Sequence, residues 1–246
     1  TQDILSRPRD GYSLLLCTHF ESINAAVYKK VAYKLADIAP ISQISRYYYG
    51  IAATNEIPAQ TWEAFLPYAK ANPGKLNYSS PAIGTFGHLA TELFIMQTGA
   101  NMVHIPHKGI VAALNGLIAG DVQFMQCVSE PALPHVRAGK LRAIAAAGPK
   151  RAPLYPDVPS LAELGYKDFN AVLWYGLFVP TGTRADIVSR LGTEVTRVLN
   201  EPGFREDALK RGIEIATSTP EQLGSMIKSE MATWQNVIKV GNIKPE

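Results

Sequence analysis

Residues 77–92 hold the densest set of groups suited to chemistry in this 246-residue chain. They read as a strand end with Ser79 and Ser80, a small-residue turn with Ala82 and Gly84, and a helix start at Thr85. Thr85 is a natural N-cap, and Leu89, Leu93 and Phe94 begin a buried stripe behind it. Such a turn aims backbone N–H groups, the positive end of a helix dipole and Ser/Thr hydroxyls at one spot, which suits a carboxylate without metal or basic side chain. The plainer alternative is a βα turn in which Thr85 only caps its helix. His88 falls in the first helical turn, where the dipole disfavours a charged imidazole; it is placed to donate to a ligand, although a structural role is commoner. Glu92 lies one turn further on the same face. His104 and His107 have H-x-x-H spacing, but His104 sits in a strand, Pro106 intervenes and no further ligand follows at metal-site spacing, so no metal site is expected. The chain has no nucleophile elbow, Walker loop or dinucleotide glycine fingerprint. No enzyme and no cofactor are expected.

The elements that must position these residues alternate. Short apolar runs at 12–17, 50–54, 76–79, 102–105, 122–125 and 141–146 read as strands. Helices are expected after Thr61, burying Phe65, Tyr68 and Ala69, after Thr85, over 111–118 and near 131–138, with a helical or irregular stretch before 50 that holds Tyr47, Tyr48 and Tyr49. The pattern predicts an α/β protein with mostly parallel sheet. Beyond 147, prolines punctuate a loop that ends in a short helix at 160–164, and an extended run covers 171–180. One further helix caps at Thr183 and buries Ile187, Leu191, Val195 and Leu199. Another opens with the capping box Thr219/Gln222, and its Leu223, Met226, Ile227, Trp234, Val237 and Ile238 read as core.

Hydrophobic residues are 47% and charged residues 18%, the mix of a globular protein rather than a disordered one. A formal charge of +3 with dispersed cations, Lys29–Lys30 and Lys150–Arg151 being the nearest to clusters, argues against nucleic acid and agrees weakly with an anionic ligand. Cys17 and Cys127 lie on separate apolar runs and are expected buried and unpaired. No uncharged apolar run is long enough to span a bilayer.

Several phrases then occur in one order: 72–80 (Asn-Pro-Gly-Lys-Leu-Asn-Tyr-Ser-Ser), Gly84–Thr85 with His88–Leu89, His104–Gly109, 132–143, 156–163, 174–180 and the terminal Thr219-Pro-Glu with Trp234. Together they resemble the solute receptors of tripartite tricarboxylate transporters, the Bug proteins, from about residue 10 to the C-terminus. The resemblance implies a type II periplasmic-binding-protein fold of two lobes with mostly parallel sheets, residues 1–75 and 171–246 forming lobe 1 and 76–170 forming lobe 2. It implies a periplasmic receptor that closes on a small carboxylate and passes it to membrane permease subunits. Ser80, Gly84 and Thr85 match the family's carboxylate turn; Thr18 and Ser129, at strand ends, and His88 complete the expected ligand residues.

Four departures from the family pattern matter. Ala82 replaces the turn's middle glycine, which would strain the turn if φ there were positive. His107 stands where tyrosine is usual. Cys127 replaces a common aspartate, so the pocket is expected to reject amino acids, a thiol being unable to balance an ammonium group. Finally, the family's first strand, loop and helix are not found in this sequence, so lobe 1 is expected to be incomplete at its N-terminus, the chain being a truncated or fragmentary member or the gap being filled by oligomerisation. An exposed apolar surface, weak solute binding and a homodimer through that lobe are expected. The competing reading is a non-transport homologue acting as an interaction or sensing subunit.

Overall fold

The computed structural model describes residues 1–27 and 33–244. Lys29 and Lys30 therefore lie outside the described residues. Along the chain the elements are α1 (Gln2–Leu5), β1 (Leu15–Thr18), α2 (Phe20–Val27), β2 (Ile38–Thr54), α3 (Trp62–Ala71), β3 (Leu76–Ser80), α4 (Phe86–Thr98), β4 (Met102–Pro106), α5 (Ile110–Ala119), β5 (Phe124–Val128), α6 (Ser129–Arg137) and β6 (Leu141–Ala146). The remainder is β7 (Val172–Pro180), α7 (Ala185–Leu199), α8 (Pro202–Lys210), β8 (Ile213–Ile215) and α9 (Pro220–Val240). Among the described residues, no helix is long and apolar enough to cross a membrane.

The chain divides into two compact units. Unit 1 comprises Thr1–Arg46 and Leu173–Ile238; unit 2 comprises Tyr47–Val172 and Lys239–Glu246. Residues 47–75, assigned to the first lobe from the sequence, thus fall in unit 2. The reason is pairing: residues 49–53 of β2 run antiparallel to β5, residues 50–54 run antiparallel to β6, and Phe65 of α3 stacks on Phe124 of β5 with centroids 5.5 Å apart.

In unit 1, β1 pairs antiparallel with β7, Cys17 opposite Gly176, and β7 and β8 pair with β2. Cys17, Ile38, Trp174, Phe178, Leu223 and Ile227 form the core that seats α9. Each such buried side chain contributes roughly 1.5–3 kcal/mol of burial. The capping box of α9 is formed: Thr219 N–H donates to Gln222 Oε1 at 2.9 Å and Gln222 N–H to Thr219 Oγ1 at 3.2 Å. Helix α7 forms as expected, but Ile187, Leu191, Val195 and Leu199 are only half-buried. Its N-cap is Arg184, because the Thr183 hydroxyl donates to the Pro180 carbonyl instead.

In unit 2 the strands follow the order β6, β2, β5, β3, β4, with β3 parallel to both β4 and β5. Phe124 faces α3 and α4, where it meets Phe65 and Phe94. Met125 and Cys127 face the opposite way, into a cluster with Ala113, Leu114 and Leu117 of α5.

Three local expectations change. The stretch before 50 is strand, not helix or loop: β2 is 17 residues long and buried on both sides over much of its length, so it lacks the period-two alternation that marks a half-exposed strand. The strand expected over 122–125 forms two residues later, and Tyr68 is half-buried. Residues 160–164 form a turn rather than a helix, although Ser160 and Glu163 exchange the reciprocal bonds of a capping box and Arg151 clamps Glu163.

Unit 1 also buries a carboxyl group. Glu230 Oε2 accepts from Trp174 Nε1–H at 2.8 Å and from Ser22 Oγ at 3.0 Å. Burial raises its pKa to about 7, opposed by the bonds from Trp174 and Ser22 and by the charge of Arg46. The folded chain therefore retains a proton that the unfolded chain releases from about pH 4.5 upward, and stability is lost as pH rises from there through about 7. Glu230→Gln keeps an acceptor for both donors and removes the titration. It is expected to raise Tm at pH 8 by roughly 3–6 °C and to leave Tm unchanged at pH 4, measured by scanning calorimetry.

Candidate functional site

The carboxyl ends of β3, β4 and β5 lie on one edge of the unit 2 sheet, since the three strands run parallel. Each is followed at once by a helix of at least nine residues, α4, α5 and α6. The chain steps from β3 to β4 on one side of β3 and to β5 on the other. A reversal of this kind leaves a crevice at the strand ends where ligands bind in open α/β sheets. The starts of α4 and α5 are bound together: His107 N–H donates to Ser80 O at 3.0 Å and Gly109 N–H to Pro81 O at 2.9 Å. Neither helix has an acidic residue in its first turn, whereas α6 carries Glu130 there. Their dipoles therefore favour an anion, and Glu130 opposes one at α6.

The structure brings Ser80, Gly84, Thr85 and His88 into one loop, with roles different from those the sequence suggested. Ser80 is fully buried; its Oγ donates to Ala82 O at 3.0 Å and lies 2.7 Å from His104 Nε2. Gly84 has φ 74°, the left-handed conformation that favours glycine, and its N–H donates to His88 Nδ1 at 3.0 Å. Thr85 occupies the N-cap position, but its hydroxyl donates backwards to Ala82 O at 2.7 Å rather than to an amide of the helix. In this structure the Ser80 and Thr85 side chains build the turn itself. What the turn offers is backbone. Gly87 and His88 are first-turn residues whose amides have no helical carbonyl to donate to.

The remaining expected residues divide. Ser129 donates its hydroxyl to Tyr48 O at 2.9 Å, and its carbonyl accepts from Tyr155 O–H at 2.8 Å, so it ties α6 to β2. Thr18 lies on β1 of unit 1, opposite Tyr175. Cys127 is 2% exposed and packs against α5, with burial raising its thiol to about 12. The strand alternation that turns Gln126 toward α4, where it donates to Ala90 O, turns Cys127 into the core. The thiol is therefore a packing residue, and selection against ammonium groups does not follow from it. His107 bonds to Ile105 O through Nδ1 and lays its ring on Gly116 of α5, where any Cβ would meet Nε2 at 2.8 Å. His104 bonds to Ser80 instead, so the two histidines of the H-x-x-H spacing diverge. Ala82 is not among the residues with positive φ, so the replaced glycine causes no strain.

Sequence reasoning missed a ring stack under this loop. Tyr78 stacks on His104 with centroids 4.8 Å apart, and His104 on His88 at 3.9 Å with planes 12° apart. Tyr78 O–H donates to Glu92 Oε1, which also lies 4.0 Å from His88 Nε2. Burial lowers His88 to about 4 and, with the neighbouring charges of His88 and His107, His104 to about 3. Both rings are neutral at pH 7, so His88 and Glu92 form no ion pair there. Burial and Glu92 push the Tyr78 phenol well above its usual range. The signal was the parallel register that sets Tyr78 opposite His104, with Ser80 two residues on and on the same face.

Two substitutions separate the roles of the loop. Gly84→Ala forces a Cβ into the left-handed region and is expected to cost about 1–2 kcal/mol in urea denaturation. Ala82→Gly relieves nothing and is expected to cost up to about 1 kcal/mol.

The model of the tripartite tricarboxylate transporter family receptor matches residues 1–243. Protein BugT of Bordetella pertussis is 31% identical over 237 residues, which cover 94% of this chain and 72% of BugT. Among solved structures, R. palustris Rpa4515 with adipate matches with TM-score 0.82 and 29% identity, over 99% of this chain and 82% of that one. MatC from Rhodopseudomonas palustris with bound malate matches with TM-score 0.74 and 25% identity, over 96% of this chain and 82% of MatC. The periplasmic binding protein BugD matches with TM-score 0.78 and 28% identity, over 99% of this chain and 83% of BugD, so the α/β architecture is the periplasmic-binding-protein fold.

Proposed function

Because the chain belongs to the tripartite tricarboxylate transporter receptor family, we propose that it captures a small carboxylate in the periplasm and delivers it to the permease subunits of such a transporter. The family is one of solute-binding receptors rather than enzymes, and the reading includes no turnover of the bound acid. Unit 2 supplies its share of the grip through the 81–85 loop and the first turn of α4. The observation that carries this is the junction of the α4 and α5 starts, two helix N-termini without first-turn acids at the carboxyl edge of parallel strands. A carboxylate there accepts from backbone amides and gains from two aligned dipoles, each contributing about 0.3–1 kcal/mol or more when part-buried. Adipate and malate in similar solved structures support the ligand class. Recognition by amides reads the carboxylate group rather than the rest of the molecule, so the solute is proposed only as a class.

The proposal makes charge the discriminating feature. Titration calorimetry with mono- and dicarboxylates of two to six carbons, adipate and malate among them, is expected to give saturable binding of at least one acid. The matching primary amide should bind at least about tenfold more weakly, a loss of about 1.4 kcal/mol or more. If every acid and its amide bind alike, or none binds, the carboxylate reading is wrong. In the latter case the interaction-subunit reading gains, with the exposed Tyr12 and the Leu14 and Leu16 side chains beside and on edge strand β1 as its apolar surface for a homodimer.

A further inference from the structure

The ring stack is built as a support for the loop. The His88 side chain is 5% exposed, and its Nδ1 lone pair accepts the Gly84 amide proton. The His88 proton therefore resides on Nε2, on the side of Glu92. At His104, Nε2 and the Ser80 hydroxyl share a hydrogen bond of 2.7 Å, and the same hydroxyl lies 3.0 Å from Ala82 O. The two neutral rings lie nearly parallel, with centroids 3.9 Å apart. Protonation of both would set like charges face to face.

We infer that His88 and His104 are positioning residues for the carboxylate loop: as neutral imidazoles they fix the Gly84 amide and the Ser80 hydroxyl, and protonation of His88 releases residues 81–85. A proton added at His88 Nδ1 replaces an acceptor by a donor that faces the donor N–H of Gly84, so the bond cannot persist. The groups facing the pair are Tyr78 from β3, His104 and His107 from β4 and its end, and Glu92 from α4 itself. Among the described residues, β5 sends the uncharged Gln126 toward α4, where it donates to Ala90 O. Glu92 attracts a proton to His88, while burial and the second imidazole oppose it; burial dominates and sets the release near pH 4. That the loop held in this way serves a ligand rests on the carboxylate reading, whereas the hold itself does not.

The test uses the whole chain without ligand. Imidazole ¹⁵N–¹H correlation spectra at pH 7 are expected to show His88 as the Nε2–H tautomer. In a titration from pH 7.5 to the onset of unfolding, the Gly84 amide shift should move with the His88 ring, with a midpoint below about 5. Exchange of the 82–87 amides, corrected for intrinsic rate, should quicken at least about tenfold over the same range. In His88→Asn, whose side-chain oxygen can take the place of Nδ1 and does not titrate, the Gly84 amide should stay protected and the midpoint should vanish. An Nδ1–H tautomer at neutral pH, a His88 titration that leaves Gly84 unmoved, or an unchanged midpoint in the variant would each overturn the inference. Absence of carboxylate binding together with the expected tautomer and coupled titration would refute the ligand reading and leave the latch standing.

Discussion

An α-helix cannot satisfy its own first amides, and the candidate site follows from that constraint. In most turns a side chain from the N-cap takes one of those protons. At α4 the N-cap Thr85 gives its hydroxyl to Ala82 instead, and the imidazole of His88 takes the amide of Gly84, one residue before the cap. The turn is thus closed through Ala82 O and His88 Nδ1, and no carbonyl of the helix is available to the amides of Gly87 and His88. Parallel pairing of β3 with β4 and β5 then brings the α5 start beside it, and two backbone bonds between residues 80–81 and 107–109 fix the pair. On the proposed reading, such a surface offers a carboxylate backbone amides rather than side-chain charges.

Burial governs the titratable groups around it. His88 has a carboxylate 4.0 Å away and is nonetheless neutral at pH 7, because removing an imidazolium from water costs more than Glu92 returns. Glu230 in unit 1 obeys the same rule with the opposite sign: burial keeps its proton on rather than off. Glu230 and His88 therefore respond to acid in opposite senses. As pH falls from about 6.5 toward 4, His88 withdraws stability from unit 2, since the unfolded imidazole takes up a proton that the folded one refuses. Over pH 7 to 4.5 Glu230 adds stability to unit 1.

Local signals in the sequence were sufficient for the βα frame of unit 2. The helix start at Thr85 and the strand expected over 76–79, like the capping box at Thr219 in unit 1, each depend on a few adjacent residues, and each formed. The long strand β2 was not legible, because a strand covered on both sides loses its alternation and Tyr47, Tyr48 and Tyr49 then read as an aromatic cluster. The loop 81–85 was legible as a place but not as a mechanism. Whether Ser80 faces a ligand or His104 depends on the register of β3 with β4, a contact across 24 residues that no local pattern encodes. Cys127 is buried as its apolar run suggested, and the alternation of β5 turns it to the core rather than to the pocket that the family's aspartate at this position implied.

The most direct measurement of the central claim is a crystal structure of the chain with the acid that binds it most tightly. A carboxylate oxygen about 3 Å from a first-turn backbone nitrogen of α4, with the Gly84–His88 bond intact, is the predicted result. An acid whose carboxylates lie away from the start of α4, held instead by side-chain cations elsewhere on the chain, would contradict the account.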